Sequence, residues 1–254
     1  LLSRVPETMD RLLYVAMTGA SQNAKSQAIL ANNLANVNTT GFRADFAQAR
    51  SMQVFGDVMP TRVYSMVERP GSDLSPGQLQ QTGGETDVAI EGEGFITVMG
   101  DDGKEAYTRN GSLFVDELGN LKTSTGLSVM GDGGLITLPL YQKIDIGTDG
   151  TISIVGQGQG AETLTQVDRI KLVDPAAGDV SKSIDGLFRR PDGLIEAPAP
   201  GVKLAPGFLE TSNVNAVSAM TEILSLSRQF ELQVKMMKTA EENDETAARL
   251  MQIS

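Results

Sequence analysis

Glycine and proline are spread so unevenly along this 254-residue chain that they divide it before any other signal is read. Of 27 glycines, only Gly19, Gly41 and Gly56 precede residue 71, and none follows Gly207. No proline falls between Pro6 and Pro60 or after Pro206. Glycine supplies the backbone freedom that turns need, and proline withholds an amide that a helix interior needs. The two ends are therefore free to form long helices, and the middle must turn repeatedly. The expected fold class is α+β, with helices at both ends and a central all-β domain of short strands and hairpins.

At the N-terminal end Leu13, Met17, Ala20, Ala24, Gln27, Ala31 and Leu34 recur in steps of four and three, the spacing that keeps one stripe on a packed helix. This predicts a helix from Met9 to about Val37, stopped at Asn38-Thr39-Thr40-Gly41. At the other end Ala216, Met220, Ile223, Ser227, Phe230, Val234 and Met237 repeat the spacing and predict a helix from Asn213 to about Leu250. Thr211-Ser212-Asn213 offers the N-cap candidates. The first stripe is dominated by small residues, so a partner backbone can approach closely while the helix buries little area by itself. Two readings follow. The stripes pack on the middle domain, or they pair with each other and with further copies of the chain; their placement at opposite ends favours the second. Asn32, Asn33, Asn36 and Asn38 crowd the end of the first helix, where asparagine is a poor interior residue. Their amides either cap the helix locally or satisfy groups on neighbouring subunits.

The middle, residues 71–207, reads as short strands: Asp87–Ile90, Phe95–Val98, Ser112–Val115, Lys143–Ile146, Thr151–Ile154 and Arg169–Val173. Asp102-Gly103, Asn110-Gly111, Asp132-Gly133, Asp149-Gly150 and Asp192-Gly193 are the expected turns, giving a barrel or sandwich of hairpins. Residues 42–70 read as an extended connector. The segments are thus 1–8, an upstream extension before Met9-Asp10; 9–41, N-terminal helix; 42–70, connector; 71–207, β domain; and 208–254, C-terminal helix.

Composition removes most chemistries. With 32 acidic against 21 basic residues, the net charge of −11 repels a nucleic-acid backbone. With no cysteine and no histidine there is no disulfide, no thiolate nucleophile, no Ser-His-Asp triad and no ordinary zinc site. The Asp-Gly clusters read as turns rather than calcium loops, because the carboxylate order of an EF-hand is absent. Glu91-Gly92-Glu93-Gly94 offers two carboxylates, but a glycosidase pair needs a defined separation across a sugar, and a solvated turn is the simpler reading. The expectation is therefore no catalytic residue, no cofactor and no metal. No run approaches the ~20 apolar residues of a membrane span. Leu1–Thr8 lacks the features of a signal peptide, which predicts that any export uses a route without a cleaved leader.

Ala31-Asn32-Asn33-Leu34-Ala35-Asn36-Val37-Asn38-Thr39-Thr40-Gly41-Phe42-Arg43 closely resembles the N-terminal signature of bacterial flagellar rod and hook proteins. Gly92–Val98, Tyr107–Leu113 through Gly119-Asn120-Leu121 to Gly131, and Gly207-Phe208-Leu209-Glu210-Thr211-Ser212-Asn213-Val214-Asn215 match the same family in the same order. The resemblance covers nearly all of the chain after Met9. Met9–Tyr14, Ser51–Gly56 and Ser227–Met237 point to a proximal-rod member; a distal-rod member carries a longer connector and Tyr-Glu where this chain has Phe230-Glu231. The resemblance implies a structural subunit exported unfolded by the flagellar type III apparatus and polymerised helically in the periplasmic space. Its terminal helices would form a coiled-coil-like inner layer around the export channel, with the β domain outside. The implied partners are other copies of itself, other proximal rod proteins, the distal rod protein and the export apparatus. A glycan-active or glycan-binding periplasmic β protein is the alternative of another class.

Overall fold

A computed structural model of the chain describes residues 9–46, 49–53, 63–67, 71–158, 164–176 and 178–253; the expected upstream extension, residues 1–8, lies outside them. The fold is α+β, and the chain divides into two compact units. The first unit comprises Leu1–Ala35, Asp45–Gly71 and Asn215–Ser254, and the second comprises Asn36–Ala44 and Ser72–Val214.

In the first unit, helix α1 runs Met9–Ala35 and helix α2 runs Ala216–Ile253. The long helix α2 starts three residues later than its sequence predicts. Its cap is Asn215, whose side chain accepts from the Ser218 amide at 3.1 Å and whose carbonyl accepts from Ala219 at 3.0 Å. The two helices pack antiparallel: Gln27 Nε2 donates to Ser227 Oγ at 2.9 Å, while Gln233 lies over Gly19. Ala16 and Ala20 of α1 and Ala219 and Ala240 of α2 are buried. Side chains this small bring helix backbones close but remove little apolar area from water. The same unit holds an antiparallel strand pair, Ala49–Gln53 with Val63–Val67. Residues 42–70, expected as an extended connector, therefore contain paired strands. A connector reading missed them because glycine and proline are scarce there, so the turn signals that frame the middle strands are absent.

The second unit is built of antiparallel strands around one large apolar core. Phe95–Met99 and Glu105–Thr108 form a hairpin through Asp102-Gly103, and Tyr141–Ile146 and Thr151–Gly156 form another through Asp149-Gly150. The first hairpin sits within a five-stranded sheet and the second within a three-stranded sheet; the remaining strands of the unit form two-stranded pairs. Val88, Ile96, Val98, Leu121, Ile152 and Leu204 are almost wholly buried in the main core. Phe95, Tyr107, Val173 and Phe188 form a smaller cluster, with the Phe95 and Phe188 rings 5.1 Å apart.

Three turn and strand expectations change. Asn110-Gly111 is not a hairpin turn: Gly111 runs against Val88, where a Cβ would fall 1.7 Å from the Val88 carbonyl oxygen. The run Arg169–Val173 is split, with Thr165–Arg169 in one sheet and Leu172–Val173 in another. Between them the nearly buried Lys171 turns aside to Glu105, Nζ lying 2.8 Å from Oε1. Two long-range pairings, finally, were not read from the sequence, although Asp87–Ile90 was read as a strand. Val88–Glu91 pairs with Lys203–Pro206, and Leu79–Gln81 pairs with Phe208–Glu210, so the beginning and end of the unit are zipped together.

Tyr107 is buried, and its phenol oxygen accepts from the Glu196 amide at 3.1 Å. Burial, reinforced by the nearby Glu105 carboxylate, pushes its ionisation up to about 12 from the usual 10.0. The folded state thus favours the neutral phenol, so this contribution to stability is complete below about pH 10 and is lost as pH rises through about 12. An ultraviolet titration should show one of the four tyrosines ionising late, and Tyr107→Phe should remove that component. A single ordinary transition for all tyrosines would contradict the burial.

Candidate functional site

The residues singled out by the helical stripes separate onto two sides of the α1–α2 seam. On α1, Ala20 is buried and Gln27 and Leu34 are half-buried, but Met17, Ala24 and Ala31 are exposed. The helix has turned so that Ala16, Asn23 and Leu30, one residue before each exposed position, take the inner side. The side chain of Leu13 lies outside the described residues. On α2, Ala216, Ile223, Ser227 and Met237 are half-buried, whereas Met220, Phe230 and Val234 are exposed. Sequence reasoning passed over the residues that make this exposed face largest: Val217 at 72%, Leu224 at 61%, Leu232 at 63% and Met236 at 46% exposure. Their signal was present as apolar residues off the chosen stripe. Beside the seam, Ser26, Ile29, Leu30, Phe46, Ser225 and Leu226 line a cleft of about 300 Å³.

The asparagines at the end of α1 find partners within the chain. Asn33 is buried and imitates a strand neighbour toward Asp45, donating to its carbonyl at 2.7 Å and accepting from its amide at 2.9 Å. Asn36 accepts from Thr39 Oγ1 at 3.1 Å. Asn32, Asn38 and Ala35 are exposed. Asn36 thus bonds within the turn that follows α1, whereas Asn33 ties α1 to the Asp45 backbone rather than capping the helix.

In the second unit, the segments leading away from α1 and toward α2 meet in a dense polar clasp. Its centre is Glu210, whose side chain is fully buried. Glu210 Oε1 accepts from Arg43 Nη2 at 2.6 Å and from the Gly77 amide at 2.7 Å, and Oε2 accepts from Arg109 Nη1 at 3.1 Å. The Glu210 carbonyl also accepts from the Gly41 amide at 2.8 Å. Arg109 donates its other terminal nitrogen to the Gly92 carbonyl at 2.7 Å and lies over the Phe95 ring. Burial pushes the Arg109 guanidinium below its ordinary value, with Glu210 working in the opposite direction. Two cations thus share one anion in a dry site, where an unpaired charge is costly.

Asn213 completes the clasp. Its Oδ1 accepts from the Ala44 amide at 2.7 Å, and its Nδ2 donates to the carbonyls of Asp73 at 3.0 Å and Ser75 at 3.1 Å. Asn213 was expected as a helix cap, but the clasp takes its amide and leaves the capping to Asn215. Ser212 Oγ accepts from the Val214 amide at 3.2 Å and holds the turn between them. Lys182 donates to the Arg43 carbonyl at 2.8 Å and sits over the Phe42 ring. Arg43, Arg109 and Glu210 lie inside the sequence blocks that carry the family resemblance, yet nothing local marks them as partners, because Arg43 and Glu210 are 167 positions apart.

The carboxylates weighed for catalysis stand apart from this clasp, since Glu91 and Glu93 are both exposed. Among the described residues no group of three acidic side chains is placed to hold a metal ion, and no helix is long and apolar enough to cross a membrane.

Gly41 is where the clasp constrains sequence most. Its backbone is left-handed, at φ +68°, and a Cβ would lie 2.3 Å from the Arg109 carbonyl. The backbone alone costs another residue about 1–2 kcal/mol. Gly41→Ala should destabilise the second unit by more than this, read as a lower urea midpoint; an unchanged midpoint would remove the requirement for glycine.

A family model described as flagella basal body rod protein matches residues 13–43. One described as flagellar hook protein FlgE/F/G D1 domain matches 89–154, and one described as flagellar basal body rod FlgEFG protein C-terminal matches 205–250. The chain is 40% identical over 252 residues to the flagellar basal-body rod protein FlgF of Salmonella typhimurium, covering 97% of this chain and 100% of that protein. It is 39% identical over the same length to FlgF of Escherichia coli, with the same coverage. Against the rod protein FlgG of Buchnera aphidicola the identity is 29% over 263 residues, covering 91% of this chain and 95% of that protein. The chain belongs to the FlgF family of flagellar basal-body rod proteins.

Proposed function

We propose that this chain is a structural subunit of the proximal flagellar rod, and that its helix pair is the part that joins it to other copies and to kindred rod proteins. The observation that carries the contact reading is the exposed apolar face of α2. Val217, Met220, Leu224, Leu232 and Met236 stand in solvent along one helix, more apolar surface than a solitary helix pair has reason to display. On α1, the exposed Ala24, Ala28 and Ala31 leave room for a neighbouring side chain to approach the backbone. Contacts between two different faces are heterologous, and their repetition yields an open helix when the rotation does not close a ring. The helix pairs would then form a coiled-coil-like inner layer around a channel, with the β units outside. Export by the flagellar type III apparatus and residence in the periplasmic space complete this reading.

Two substitutions test the contact face. Ala24→Trp adds bulk, and Leu224→Glu adds charge, at positions that face solvent in the single chain. Each should shift the stability of the isolated chain by no more than about 0.5 kcal/mol. Each should also abolish rod completion and swimming when it is the sole copy in the cell. Normal motility with both variants would overturn the placement of the contact face. Hydrogen exchange supplies a second check. Because the seam buries mainly alanine, amides in Ala16–Leu34 and Met220–Met237 should exchange much faster in a dilute monomer than those of the Ile152–Ile154 strand core. Equal protection would mean that the pair is self-sufficient.

A further inference from the structure

We propose that Glu210 is a one-way latch: the segment leaving α1 becomes fixed in the second unit only after the segment entering α2 is already in place. The asymmetry lies in the bonding. Glu210 is held without any help from the N-terminal segment, because its strand Phe208–Glu210 pairs with Leu79–Gln81 and its carboxylate also takes Arg109 and the Gly77 amide. Arg43 has no such independence. Its side chain is fully buried, and among the described residues Glu210 is its one hydrogen-bonded side-chain partner while its Nε and Nη1 have none. A guanidinium enters a dry site only where an anion is waiting, so Arg43 cannot dock before Glu210 does.

The backbone repeats the same order. The Gly41 amide donates to the Glu210 carbonyl, the Ala44 amide donates to Asn213 Oδ1, and the Phe42 carbonyl accepts from the Asn213 amide. Two further ties at this point come from elsewhere in the unit: the Asp73 amide donates to the Ala44 carbonyl, though the Asp73 carbonyl is itself held by Asn213, and Lys182 donates to the Arg43 carbonyl at 2.8 Å. A chain lacking its last part would keep the Lys182 and Asp73 ties to residues 43 and 44 but lose the three backbone bonds to Glu210 and Asn213 and the anion that Arg43 needs. For assembly, a consequence that rests on the rod reading, the segment behind α1 would stay unfixed until the whole chain had arrived.

Hydrogen exchange on the isolated full-length chain tests the latch, and it involves no rod. Glu210→Gln keeps the shape and removes the charge. The Gly41 and Ala44 amides should then exchange at least about tenfold faster, the loss expected for one charge-assisted bond, while the Ile152–Ile154 amides stay protected. In Arg43→Gln the Gly77 and Thr211 amides should keep their original protection. Asn213→Ala leaves the buried charges untouched and should speed Ala44 by a similar factor, which keeps the test available if Glu210→Gln fails to fold. Unchanged Gly41 and Ala44 amides in Glu210→Gln, or in Asn213→Ala for Ala44, would overturn the latch. Loss of Gly77 and Thr211 protection in Arg43→Gln would overturn its direction. Motility reports separately on the rod: normal swimming alongside the expected exchange pattern would leave the latch standing and count against its role in assembly.

Discussion

One buried carboxylate organises the second unit at the point where both ends of the chain enter it. Glu210 compensates two guanidiniums, ends the strand paired with Leu79–Gln81 and accepts the Gly41 amide through its own carbonyl. In a low-dielectric site each of these bonds is strong because water is not there to compete, and each is expensive to leave unmade. The positions around Glu210 are constrained accordingly. Gly41 must be glycine to pass the Arg109 carbonyl, Asn213 must offer both an acceptor and a donor, and Arg43 must reach from the other end of the sequence.

The first unit works by the opposite economy. Its seam is made of alanines and amides, with Gln27 bonded to Ser227 and Gln233 over Gly19, so the helices come close without burying much apolar surface. Many of the large apolar side chains of α2, Leu224 and Leu232 among them, face outward instead. A stable solitary domain places such residues inside, because burying a leucine contributes roughly 1.5–3 kcal/mol. A protein that assembles gains by holding that contribution back for its neighbours. The contrast between a tightly bonded clasp and a thinly packed helix pair is what the rod reading predicts for a subunit whose ends complete their packing only in company.

Much of this was legible in the residues. The four-and-three apolar spacing, in ends where glycine and proline are scarce, located both helices to within a few residues. The alternation in Lys143–Ile146 and Thr151–Ile154 reappears as buried isoleucines opposite exposed or half-exposed Asp145 and Ser153. Met17, Ala24 and Ala31 of the α1 stripe lie one residue off the buried line, because alanines occupy both sides and a hydrophobic pattern cannot rank them. Asn110-Gly111 was read as a turn because its local preference is the same whether glycine serves a hairpin or a close approach to Val88. The clasp was invisible for a different reason. Ion pairing between residues so far apart in the chain leaves no periodicity to read.

By itself, then, the sequence determined the two helices, six of the short strand runs between them, the absence of thiol and imidazole chemistry, and the family. These are properties of local conformational preference, of composition and of matching blocks, and none requires knowing what touches what. Only the tertiary structure decided that α1 and α2 pair antiparallel, that the first and last strands of the β unit zip together, and that Arg43, Arg109 and Glu210 share one dry site. Those outcomes depend on which distant groups can be desolvated together without leaving a charge or a backbone amide unpaired. That balance is struck over the whole folded unit and has no counterpart in any short window of residues.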